Sequence, residues 1–155
     1  MISTRGRYAL RMMIEFAQQE PGVRMPLRVV SARQDISMKY LEQIASMLVQ
    51  AGFLESSRGP RGGYRLARPA SEMTAGEVLR AVEGEFVPVA CLGEDYGCPR
   101  REGCGTVGFW EGLHRVISSY VDGVTLADLA SGNACGDCCE ADAAQGAAEE
   151  EAVRA

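Results

Sequence analysis

The chain has 155 residues, of which 46% are hydrophobic and 24% charged, with six cysteines and one histidine; this length admits one ordinary domain with an appendage and excludes two large ones. No run of about eighteen apolar residues occurs, and the start MISTRGRYALRMM is interrupted by Arg5, Arg7 and Arg11, so neither a membrane helix nor a secretory leader is expected, and a cytoplasmic protein with reduced thiols is. The net charge of -5 is divided unevenly: residues 1–69 hold eleven Lys/Arg against five Asp/Glu, residues 70–155 five against sixteen, and a cationic amino-terminal half suits a polyanion.

Tyr8, Met12 and Phe16 recur at every fourth residue with Ala9, Met13 and Ala17 beside them, which predicts a helix from about Arg5 to Gln19, ended by Glu20-Pro21-Gly22. A second helix follows from about Leu27 to Arg33, with Pro26 at its start, where a missing N–H is harmless. After the tight connection Gln34-Asp35-Ile36, Ser37 is the expected N-cap of a third helix that buries Leu41, Ile44, Ala45 and Leu48 and ends at Gly52. Its other face presents Lys39, Tyr40, Gln43 and Gln50. Two short strands, Phe53 to Ser57 and Tyr64 to Ala67, flank the basic, glycine-rich Arg58-Gly59-Pro60-Arg61-Gly62-Gly63, the pattern of a β-hairpin.

This order predicts a mainly α chain with a small β-hairpin wing (α+β), in which residues 1–69 form a winged helix-turn-helix DNA-binding domain. The third helix of such a unit enters the major groove, where Gln reads adenine and Tyr or Lys holds phosphate, while a basic hairpin tip reaches the minor groove. Lys39, Tyr40, Gln43, Arg58 and Arg61 are therefore the expected DNA contacts; singly, each also suits a solvated helix face or an ordinary turn. The glycine-rich tip matches neither a P-loop nor a dinucleotide fingerprint, and no Ser/His/Asp order suggests catalysis, so no enzyme is expected.

Beyond Pro69, Thr74-Ala75-Gly76-Glu77 has capping-box spacing before a short helix carrying Val78, Leu79 and Val82 and ending at Gly84. From about Thr106 to Val124, Trp110, Leu113, Ile117, Tyr120, Val121 and Val124 fall on one side of a longer helix, which is a candidate for pairing with its copy in a homodimer. Thr125 is placed to cap a last short helix, Leu126 to Ala130. Residues 70–132 are thus read as a cysteine-bearing loop with a dimerisation helix, and residues 133–155, rich in Ala, Glu and Gly, as a disordered acidic tail.

In CLGEDYGCPRREGC, residues 91 to 104, three cysteines are separated by six and then five residues, with glycines and a proline that let the backbone wrap. Structural zinc sites pair closely spaced cysteines twice. Cys91, Cys98 and Cys104 fit the longer loops around an iron-sulfur cluster better, although such a cluster takes four protein ligands; unliganded thiols are the remaining alternative. Cys135, Cys138 and Cys139 form a second, unassigned thiol group, and His114 lies within the long helix as a surface or packing residue.

STRGRYAL, ISMKYLEQI, RGPRGGYRL, GEVLRAVEG, the three-cysteine loop and TLADL together resemble, over about residues 1 to 132, the IscR-type family of bacterial winged-helix iron-sulfur transcription regulators. The resemblance implies a homodimer with a long crossing helix, binding double-stranded promoter DNA at pseudo-palindromic sites. Tyr40, Gln43 and Arg58 match the family's DNA-contacting positions, and Glu42 a position that tunes which site is accepted. Cys91, Cys98 and Cys104 match the ligands of a [2Fe-2S] cluster in many members and of a [4Fe-4S] cluster in nitric-oxide-sensing relatives; the former is favoured. The fourth ligand is open: the position where the cluster-biogenesis regulators carry a histidine is Val107, and the one where the nitric-oxide branch carries an aspartate matches Tyr8. His114 lies about 12 Å along the long helix, within reach only if the loop folds back; a tail cysteine, Tyr8, a partner carboxylate or an external ligand are the other options. A same-fold regulator without a cluster, governed by a protein partner or metabolite as in the cysteine-metabolism branch, is the alternative.

Overall fold

The computed structural model describes residues 2–59, 62–85, 87–93 and 98–133. Arg61, the Cys135, Cys138 and Cys139 group and the expected tail disorder lie outside the described residues.

Six helices and one hairpin follow one another as α1 (Thr4–Ala17), α2 (Leu27–Gln34), α3 (Met38–Gln50), β1 (Leu54–Ser57), β2 (Gly63–Leu66), α4 (Ala75–Glu83), α5 (Val107–Gly123) and α6 (Leu126–Ser131). Each predicted helix and strand is present to within about two residues, and the mainly helical chain with a two-stranded wing is the fold expected of it. Three short 3-10 turns, Ala70–Glu72, Ala90–Leu92 and Arg101–Gly103, carry no periodicity that sequence reading could detect.

The apolar stripes of α1 and α3 meet in one core. Met12, Met13, Leu41, Ile44 and Leu48 are fully buried, and Val78, Val82 and Leu126 from beyond Pro69 join the same cluster; each such side chain contributes about 1.5–3 kcal/mol of burial. Helix α1 packs against α2, α3, α4, α6 and β2. Its Glu15 carboxylate is buried, paired with Arg33 at 3.0 Å and accepting a 2.6 Å hydrogen bond from Gln34 Nε2. Arg11 Nε donates to Gln34 Oε1 at 2.7 Å, closing the link to the last turn of α2. That helix stops at Asp35, whose left-handed backbone (φ 51°) turns the chain into α3.

Ser37 is the N-cap residue of α3, as expected, but its side chain makes no capping bond. The two threonine caps are complete: Thr74 with Glu77 and Thr125 with Asp128 form reciprocal capping boxes. They also lie side by side, because the Ala75 amide donates to Val124 at 2.8 Å and the Leu126 amide to Met73 at 2.8 Å. The carboxyl end of α5 is thereby fixed to the start of α4, where Gly76 allows close approach to Val121 and Asp122.

In the wing, Leu54 pairs with Leu66, Glu55 with Arg65, Ser56 with Tyr64 and Ser57 with Gly63, antiparallel. Met25 adds a bridge to Tyr64, and Gly63 (φ 149°) leaves no room for a Cβ, which would lie 2.8 Å from the Met25 carbonyl oxygen.

A second carboxylate fastens the other end of α1. Glu83, the last residue of α4, accepts through Oε1 from the Ser3 amide at 3.0 Å, the Ser3 hydroxyl at 2.7 Å and the Gly6 amide at 2.7 Å. Burial works to raise this carboxyl, but the Ser3 and Gly6 hydrogen bonds and the charge of Arg5 outweigh it and hold it below its ordinary value. A group so lowered adds stability above its unfolded pKa and loses it as the pH falls through the folded one. Glu83→Gln is expected to cost roughly 1–2 kcal/mol at neutral pH. Its melting temperature should converge on that of the unsubstituted chain as the pH falls below the glutamate range; a gap that persists at low pH would refute the assignment.

Candidate nucleic-acid interface and thiol loop

The exposed face of α3 carries Lys39, Glu42 and Gln43, raised above a stripe buried by Leu41, Ile44, Ala45 and Leu48. Tyr40 differs from these neighbours. Its ring is half-buried and meets Tyr8 of α1 edge to face at 5.7 Å, with the Arg11 guanidinium 5.4 Å from the Tyr8 centroid, so its position is set by packing. Tyr8, weighed from the sequence as a cluster ligand, is in ring contact with α3. Arg58 leaves the wing exposed. Glu42 lies on a ridge between two shallow grooves, one of about 340 Å³ shared with Arg28, Ser57 and Gly59, the other of about 580 Å³ shared with Arg5, Lys39 and Gln43.

The arginines divide by their partners. Arg65 makes a forked contact with Glu55 at 2.7 and 2.8 Å, Arg24 reaches the same carboxylate at 3.7 Å, and Arg68 reaches Glu77 at 3.7 Å. Among the described residues, Arg5, Arg28, Lys39 and Arg58 make no ion pair. These four come from α1, α2, α3 and the wing; Arg7, Arg11, Arg100 and Arg115 are likewise without an ion pair, the last two far along the chain in the thiol loop and α5.

Cys91, Cys98 and Cys104 are half-buried free thiols. The Cys104 thiol is lowered from its ordinary value, first by the Thr106 hydroxyl, 3.4 Å from Sγ, and then by the backbone amides of Thr106 and Val107. Thr106 stands at the N-cap of α5 without capping it. Its hydroxyl serves the thiol instead. Among the described residues no three His, Cys, Asp or Glu side chains converge on a common point.

Helix α5 has no fully buried residue. Ile117 and Val121 are half-covered, whereas Phe109 (66% exposed), Leu113, Val116 (67%) and Tyr120 form an open stripe. Sequence periodicity merged these two faces into one, assigning Leu113 and Tyr120 to the same side as Ile117 and missing Phe109 and Val116. The loop also folds back along α5, since Leu92, next to Cys91, lines a cavity of about 480 Å³ with Arg101, Glu111, His114 and Ser118. His114 Nδ1 is buried there without a hydrogen-bond partner. A distance measured along the helix from Thr106 had made His114 remote, and it could not anticipate that return.

The sequence profile of Rrf2, described as an iron-dependent transcriptional regulator, matches residues 2–132. The chain belongs to the Rrf2 family. It is 38% identical over 128 residues to the HTH-type transcriptional regulator IscR of Serratia proteamaculans, covering 83% of this chain and 77% of that one. The solved structure of CymR, the global cysteine regulator of B. subtilis, superposes with a TM-score of 0.70 at 37% identity, covering 84% of this chain and 96% of that one. The IscR of T. potens does so at 0.69 and 32%, covering 85% and 87%. The Rrf2 profile and the Serratia IscR are both named as transcriptional regulators, and the Rrf2 chain is a DNA-binding transcription regulator rather than an enzyme. No helix among its described residues is long and apolar enough to cross a membrane.

The iron dependence attached to the Rrf2 family can be set against this chain's own donors. Three half-exposed thiols, one of them drawn toward thiolate, fit an iron centre in donor chemistry. Cys104 is expected to be the most readily alkylated of the three near neutral pH. Thr106→Ala, by removing the hydroxyl that lowers it, should slow iodoacetamide labelling of Cys104 several-fold and spare Cys91 and Cys98, as followed by peptide mass spectrometry; equal rates before and after substitution would contradict the assigned role of Thr106.

Proposed function

We propose that the chain acts as a homodimer that reads promoter DNA with α3 and the wing and senses iron-sulfur, redox or nitric oxide status through a cluster on Cys91, Cys98 and Cys104. The observation that carries the DNA part is the set of unpaired cations beside an exposed Gln43, while the neighbouring Arg65 and Arg24 are neutralised by Glu55. Gln43 reads a base edge, Lys39 and Tyr40 hold phosphate, Glu42 disfavours some sites by its charge, and Arg58 with Arg61 follows the minor groove. Such a protein works where the chromosome is, in the cytoplasm.

Residues 1–69 supply the reading surface, and residues 70–132 the thiol loop and the paired helix. The open stripe of Phe109, Leu113, Val116 and Tyr120 suits a second copy of α5. A [2Fe-2S] cluster bound by the three thiolates would supply a charge and shape that change with its redox state; the [4Fe-4S] form is the second choice. This chain's own part is a relay of contacts: the loop leaves α4 directly after Glu83, which holds the start of α1 by hydrogen bonds, and Tyr8 of α1 meets Tyr40 of α3 edge to face. A change in the loop thereby biases the reading helix.

Protein purified without oxygen should be coloured and contain iron and acid-labile sulfide, with an absorption and paramagnetic resonance signature that changes on dithionite reduction. Colourless protein lacking both elements would end the cluster reading and leave DNA binding standing. Gln43→Ala and Arg58→Ala should each weaken binding to a selected duplex by about 1–3 kcal/mol, the former also relaxing sequence preference; unchanged affinity for both would remove the assigned contacts. Val116→Asp should convert the dimer to a monomer in sedimentation, with the helical circular dichroism retained.

A second reading is supported by the likeness to CymR and by the absence of a converged ligand group among the described residues. It is a cluster-free regulator controlled by a protein partner or metabolite, with the thiols as redox or zinc sites. Under that reading, replacing Cys91, Cys98 and Cys104 by serine leaves anaerobic DNA affinity unaltered.

A further inference from the structure

Arg5 lies in the first turn of α1, where periodicity assigns it no function. The fold brings it to the edge of the reading helix: Arg5, Lys39, Glu42, Gln43, Ser46 and Met47 line one shallow groove of about 580 Å³. The side chain is half-buried, and its Nε is shielded from solvent with no hydrogen-bond partner among the described residues. Among the described residues Arg5 makes no ion pair, so the charge of its guanidinium is left for an anion from outside the chain. Glu83 contributes a favourable charge to this region, but its Oε1 is taken up by the Ser3 and Gly6 donors, and it makes no ion pair with Arg5.

We infer that the groove between the start of α1 and the exposed face of α3 is a phosphodiester site, in which Arg5 and Lys39 hold one backbone phosphate of the DNA that Gln43 reads. The inference rests on the DNA reading proposed above and adds a contact from outside the helix-turn-helix and wing. Two features favour phosphate over a base edge: the groove is shallow and at the flank of α3, and it holds two cations from two different helices. Glu42 on the same groove narrows the geometry a phosphate can adopt, because an anion too close to that carboxylate is repelled.

The site fixes register. With Arg5 on the phosphate chain, α3 cannot slide along the groove without breaking a charge-assisted contact made by a separate helix. Glu83, which holds the first turn of α1, is then also what holds Arg5 in place.

The test uses the full chain and two duplexes, one selected by the wild-type protein from a random-sequence pool and one scrambled, titrated over a range of salt. Removing one phosphate contact lowers the slope of log affinity against log salt by about 0.9, or about twice that if both protomers engage. Arg5→Ala and Arg5→Gln should both show this drop, equally on the two duplexes, and Arg5→Lys should largely restore it. Arg7→Ala removes a cation about 200° around the same helix and should have a smaller effect. A slope unchanged in both Arg5→Ala and Arg5→Gln overturns the inference, as does an equal drop in Arg7→Ala, which would mean a diffuse field. A loss confined to one base pair of the selected duplex overturns the phosphate assignment. Absence of any DNA affinity in the wild type overturns the DNA reading itself, and the inference with it. A purely structural role for Arg5 would move the melting temperature and leave the slope alone.

Discussion

A carboxylate buried inside a helical protein demands partners, and much of the arrangement around α1 follows from how Glu15 obtains them. An uncompensated charge at that depth would cost on the order of several kcal/mol. Here it is met by Arg33 and Gln34, both in the last turn of α2. That turn therefore cannot drift along α1 without exposing the charge. Since α2 ends immediately afterwards at the left-handed Asp35, the direction in which α3 departs is fixed by the same contacts. The position of α3 thus depends on a polar network at the last turn of α2 that reaches Tyr8 and, through it, Tyr40.

At the opposite end of α1 the constraint is similar but shallower. Glu83 takes three donors on a single oxygen, satisfying two amides that a helix start leaves without intrahelical partners. Gly6 is needed there because a Cβ would run into the same oxygen. Glu15 ties Arg33 to the fold, as Glu55 ties Arg65 and Arg24, whereas Arg28, Lys39 and Arg58 make no ion pair among the described residues.

Much of this was legible in the sequence. The stripes of α1 and α3, the Thr74 capping box and the glycine-rich wing all rest on short-range patterns, and local physics alone suffices for them. What escaped were relations between elements distant in sequence. Glu83 and Gly6 are 77 positions apart, and no local rule connects them. Ser37 was placed correctly as a cap residue, yet its hydroxyl does not cap; Thr106 looked like an ordinary helix start, yet its hydroxyl serves a thiol. On α5, a helix with no fully buried residue, hydrophobicity could not distinguish the half-covered side from the open one. The grouping of Arg5 with Lys39 and Gln43 needed the packing of α1 on α3 before it could be seen.

The thiol loop is attached to two elements. Its first end leaves α4 after Glu83, a residue bonded to α1; its second end runs into α5 at Val107. The far end of α5 is pinned by the Val124 and Met73 backbone bonds and by the contact of Arg80 with Asp122. Its first turns carry exposed apolar side chains and are tied to the thiol loop by the Arg101–Glu111 ion pair at 2.7 Å. The loop is therefore joined to α5 through that ion pair and through the cavity that Leu92 and Arg101 line with Glu111 and His114, while the carboxyl end of the helix is held to α4. That held end lies beside the Thr74 and Thr125 caps, where Leu126 and Val78 enter the same core as the buried faces of α1 and α3.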